Sequence, residues 1–121
     1  MAAKISLTGE QLSEVANAMV RLKAEYYGRG PSAAKAYLND EVLICVLRGG
    51  LTAVERTLLA GGDEDLVRQV RLRWQDQLVG RFSETVAGIT GYRVLAFNSQ
   101  ILFDPDYIIE MAVLGDGDGA G

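Results

Sequence analysis

The chain has 121 residues, 49% hydrophobic and 23% charged, with a formal net charge of −4. Those figures fit one globular domain with a single core and argue against a nucleic-acid module, which needs a concentrated basic surface to displace counterions. Histidine is absent and Cys45 is the only cysteine, which excludes an intrachain disulfide, the usual His-based triads and the common zinc ligands.

The first six residues read as a loose lead-in. Thr8 and Gln11 form a capping box, and Leu12, Val15, Ala16, Met19, Leu22 and Tyr26 then advance as one amphipathic stripe, predicting a helix over 9–27. Gly28 supplies a left-handed stop and Pro31 prevents resumption. Ala33–Leu38 and Glu41–Arg48, separated by Asn39-Asp40, read as a β-hairpin. In the second strand Val42, Ile44 and Val46 alternate with Leu43, Cys45 and Leu47, so both sets are apolar and the strand is expected to be central and covered on both faces.

Gly49-Gly50 ends that segment, and a second capping box, Thr52 with Glu55, opens a short helix to about Leu59. After Gly61-Gly62 a long helix runs from Asp63 to Gly91. Its predicted buried stripe is Val67, Val70, Trp74, Leu78, Phe82, Val86 and Ile89. A weaker stripe through Leu72 and Val79 is expected to meet the first helix or a second subunit. Tyr92–Asn98 and Tyr107–Leu114 read as strands around an Asp104-Pro105-Asp106 turn. The expected fold is α+β, in the order α-ββ-α-α-ββ: a four-stranded, mostly antiparallel sheet from two hairpins, packed by the first helix and the long one. Residues 1–114 form the single domain and the Gly/Asp-rich 115–121 a flexible tail.

No catalytic constellation, cofactor motif or metal site emerges. Gly28-Arg29-Gly30-Pro31 stands between a helix and a strand, the reverse of a dinucleotide loop, and reads as a chain reversal. Cys45 lies mid-strand among apolar neighbours and reads as packing. Asp104 and Asp106 flank a proline, as solvated turn residues do. Arg71 falls near the apolar stripe of the long helix. There it either extends its charge to water at the stripe's edge or is held by a carboxylate, with Asp40, Glu41 and Glu110 as candidates. An anion site is the sharper alternative.

Taken in order, the helix ending in GRGP, the segment AKAYLNDEVLICVLRGGLTAVERTLL, the arginine-rich helix and ETVAGITGYRVL resemble the MpsC-like family over about residues 10–114. The family is named for a Na⁺-translocating, membrane-potential-generating system. The resemblance implies a small bacterial protein associated with such a system, without establishing that this domain moves ions. The expectation is a non-catalytic accessory or regulatory module, a homo-oligomer with a membrane-protein partner, no nucleic-acid partner and no cofactor. No run approaches about 18 apolar residues and MAAKISLTGEQL lacks a signal-peptide core, so a cytoplasmic location is expected, peripheral to the membrane through that partner. The alternative is a small enzyme or anionic-effector domain. Candidate interaction or anion-binding residues are Arg71, Leu72, Val79, Arg48 and Asp40.

Overall fold

The computed structural model describes residues 4–116. Helix α1 spans Gly9–Tyr27, and its capping box is complete: the Thr8 side chain accepts from the Gln11 backbone and the Gln11 side chain from Thr8. Gly28 closes it at φ 77°, a left-handed conformation that costs glycine little. Strand β1 (Ala33–Asn39) turns through Asp40 into β2 (Val42–Arg48). Helices α2 (Ala53–Ala60) and α3 (Glu64–Thr90) follow, then β3 (Arg93–Phe103) and β4 (Asp106–Gly115). The second capping box, Thr52 with Glu55, is also complete. The predicted tail beyond Asp116 lies outside the described residues.

All strand pairs are antiparallel and the sheet order is β1-β2-β4-β3, which places the two most apolar strands in the middle. Both helices that pack on the sheet lie on one face, α1 over β1 and β2, α3 over β3. Leu43, Cys45 and Leu47 of β2 and Ile108, Ala112 and Leu114 of β4 point into this layer, where they meet Val15, Met19 and Leu22 of α1 and Phe82 and Val86 of α3. Phe82, fully buried, stacks on Phe97 of β3 at a centroid separation of 5.8 Å and ties α3 to that edge.

Four expectations need correcting. The lead-in is not loose throughout, because Ile5 is buried in the core and the Ser6 backbone exchanges hydrogen bonds with the Tyr92 hydroxyl. Strand β3 continues five residues past Asn98. Polar residues there occupy both faces: Asn98 and Gln100 turn outward, whereas Ser99 turns inward opposite Glu110, and this hid the alternation. The buried line of α3 is Val67, Arg71, Gln75, Phe82, Val86 and Thr90, with Val70 and Trp74 left 49% and 41% exposed. Two polar side chains thus stand on the line that hydropathy assigned to a valine and the tryptophan. Finally, β2 is central but covered on one face only. Among the described residues no helix packs over Val42, Ile44 and Val46.

Helix α3 runs along β3 for most of its length: its 27 residues extend about 40 Å at 1.5 Å per residue, against about 36 Å for the eleven-residue β3. In its C-terminal half Phe82 and Val86 enter the core, and in its N-terminal half Arg68 donates to the Ile101 carbonyl and lies 4.8 Å from the Phe103 ring centroid. The N-terminal half also lies beside α2, a helix none of whose residues is fully buried.

Candidate functional site

The predicted site residues do not converge. Asp40 occupies the β1–β2 turn at φ 53°, at the opposite end of β2 from Arg48. Arg48 is exposed, with its guanidinium 5.6 Å from the Tyr107 ring centroid. Leu72 and Val79 line a groove of about 90 Å³ between α3 and β3, with Asp76, Phe97, Asn98 and Ser99, so the weaker stripe lies on the β3 side of α3 and Leu72 stays 37% exposed. Arg71 lies on the core side of α3 and is 2% exposed. It is held by a carboxylate, but by Glu55 rather than Asp40, Glu41 or Glu110.

Arg71 organises one end of a polar seam beneath α3. Its Nε donates to Glu55 Oε2 at 2.5 Å and one terminal nitrogen to Glu55 Oε1 at 2.7 Å, a two-point clamp. The same nitrogen donates to the Gly50 carbonyl at 3.0 Å. Glu55 is the third residue of α2 and also accepts from the Thr52 backbone, so one carboxylate both caps α2 and fastens it to α3. Gly50 adopts φ 98°, a conformation only glycine takes readily, and this aims its carbonyl inward. Burial pushes the Glu55 carboxyl upward, but the hydrogen bonds from Arg71 and Thr52 outweigh it and hold the group below its ordinary range. Burial likewise opposes the charge on Arg71, and Glu55 more than restores it.

At the other end, Lys23 of α1 and Glu110 of β4 form an ion pair of 2.5 Å with both side chains out of contact with water. Ser99 of β3 donates to the second Glu110 oxygen. Lys23 Nζ also sits 5.1 Å from the Phe82 centroid, over the negative face of that ring. Burial depresses the Lys23 pKa, with Glu110 opposing the shift. Between the two ion pairs stand Tyr27, whose ring lies 4.6 Å from the Arg71 guanidinium, and the buried Gln75. Burial raises the Tyr27 hydroxyl, keeping it neutral.

The seam therefore carries two cations and two anions in matched pairs. Both Glu110 oxygens are engaged and Ser99 is fixed as a donor, so neither is poised toward a substrate. Burial pushes the Cys45 thiol up to about 12, which removes it as a nucleophile near neutral pH and agrees with its packing role. No group of three or more potential metal ligands occurs among the described residues.

Two signals in the sequence pointed to this seam. Lys23 stands four and eight residues after Met19 and Val15, on the apolar stripe of α1. Glu110 interrupts the run YIIEMAVL at an inward-facing parity. A lone charge of each sign on two facing apolar surfaces implies a buried pair. Glu55 was visible only as a cap.

The fold and seam define a class: a two-layer α+β domain, helices on one face of an antiparallel sheet, with a charge-neutral ionic seam between the layers. The family is fixed by sequence comparison. Residues 8–116 match the model described as "Na+-translocating membrane potential-generating system (MpsC)", and the chain belongs to that family. Neither a curated protein nor a solved structure matches the chain. Among the described residues, no helix is long and apolar enough to cross a membrane.

Proposed function

We propose that this domain is a non-catalytic accessory or regulatory module that docks onto a membrane-embedded component of a Na⁺-linked system. One observation carries the reading. Leu66, Val70 and Trp74 recur at four-residue intervals on the N-terminal half of α3 and are 47%, 49% and 41% exposed. Such a row lies on one helix face, and contiguous exposed apolar surface marks contact with a partner. Trp74 is held against Tyr27 at 5.0 Å between centroids, so the aromatic anchor is positioned before any partner arrives. The link to the membrane system rests on the family description.

The alternative of an anionic-effector site built from Arg71, Arg48 and Asp40 has little support, because Arg71 is already clamped and the three positions are scattered. The test is co-expression with the membrane-embedded components of the system, followed by purification of those components from detergent extracts. The wild-type domain is expected to co-purify and the Leu66→Lys, Val70→Lys double variant to be lost. Equal recovery of both would contradict the reading. These positions are exposed, so the variant is expected to fold normally.

A further inference from the structure

The sheet has a second surface, on the side away from the helices. At its centre, Val42, Ile44 and Val46 of β2 stand beside Val113, Met111 and Ile109 of β4, all only partly buried. Six apolar side chains on two adjacent central strands make a continuous patch, and none of the outward positions of the four strands carries a carboxylate. The two cations nearest the patch rest on aromatic rings of their own chain, Lys35 at 5.3 Å from Tyr37 and Arg48 at 5.6 Å from Tyr107. The occupant therefore has no need to supply opposite charge.

We infer that this face is a homodimer interface, occupied by the same face of a second copy about a two-fold axis close to the strand direction. The register supports that geometry. Residues in line across the sheet form rows, and such an axis lays each row on its own reverse. Val46 then meets the partner's Ile109, and Ile44 meets the partner's Met111. Lys35 comes over the partner's Gln100, an amide able to accept from it, and Tyr37 over the partner's Asn98. Arg48 and the partner's Tyr107 repeat the cation–ring contact already made within each chain. At the end of the sheet, Leu102, 47% exposed, faces the partner's Ala33. Ala33 borders a depression of about 340 Å³ lined also by Lys35, Tyr37, Arg48 and Tyr107, which receives that leucine.

The area is sufficient. Four strands about 4.8 Å apart and about 25 Å long present roughly 450 Å² in projection, more with side-chain relief. Two copies together bury on the order of 1,000 Å², the size a specific interface needs. Face-to-face sheets pack about 10 Å apart with strands about 30° from alignment, a geometry this unobstructed face permits. The surface is distinct from the α3 row, so failure of one proposal leaves the other standing.

Sedimentation equilibrium on the full chain tests it. The wild type is expected to be a dimer of the 13.1 kDa chain. Val46→Lys and Ile109→Glu are each expected to weaken it at least about a hundredfold, and their equimolar mixture to restore a heterodimer, because the new lysine meets the new carboxylate across the interface. Leu102→Glu, at an exposed site that does not threaten folding, is expected to weaken it as well, and Leu66→Lys to leave it unchanged. A monomeric wild type would overturn the inference, as would a dimer that tolerates Leu102→Glu.

Discussion

Lys23, Glu110, Arg71 and Glu55 cross the interior as two opposite-charge pairs, and the cost of breaking one is set by the charge left behind. Glu110→Gln alone, or Lys23→Met alone, strands its partner in an apolar layer and is expected to cost about 3–5 kcal/mol. The Lys23→Met, Glu110→Leu double variant removes both charges and is expected to cost far less than the sum, read as a coupling energy in a denaturant-unfolding cycle. Glu55 gives the pH dependence. Its folded carboxyl lies below the ordinary value of 4.5, so on acidification the unfolded chain takes up the proton first. The stabilisation is complete above about 4.5 and is lost as pH falls through the depressed folded value. Glu55→Gln is expected to flatten that acid limb in a thermal-melt series and to lower stability at neutral pH, where the clamp on Arg71 is weakened. Sequence offered a carboxylate hold for Arg71 as one of its alternatives, with Asp40, Glu41 and Glu110 as candidates, and missed Glu55. Its partner lies sixteen residues away on another helix, a separation that no local periodicity encodes.

At the scale of elements, sequence reading succeeded where a residue's role depends on its neighbours along the chain. Both capping boxes, the Gly28 and Gly91 stops and the first hairpin formed where spacing and turn chemistry placed them. It failed on α3 because hydropathy cannot tell which of two adjacent rows faces the sheet when the buried row contains Arg71 and Gln75. The consequence is measurable. Phe82→Ala, at a site with no exposure, is expected to cost about 3–5 kcal/mol, whereas Trp74→Ala, 41% exposed, is expected to cost no more than about 1–2 kcal/mol. Chemical denaturation of both variants checks this. Equal losses would mean that Trp74 belongs to the core after all. Thr52→Ala is expected to cost about 1 kcal/mol, because it removes the hydroxyl that accepts from the Glu55 backbone N–H but keeps the Thr52 N–H that donates to the Glu55 carboxylate.

The whole molecule divides its labour between interior and exterior. The interior lies between sheet and helices, and its buried charges are matched in two ion pairs. The exterior carries two apolar surfaces, the open sheet face and the row on the N-terminal half of α3. The α+β fold and its element order were legible in the sequence, as was the family. Which faces stay open was not, because exposure depends on strand order and on which row of α3 turns toward the sheet.

The claim that the α3 row is a docking surface for a membrane component is tested most directly by a photo-crosslinking residue placed at Val70 in cells that express the whole Na⁺-linked system. A control carries the same residue at Arg81, which is exposed on the same helix. The account predicts an adduct with a membrane-embedded component of that system from Val70 and none from Arg81. The same yield from both positions, or no such adduct from Val70, would contradict it.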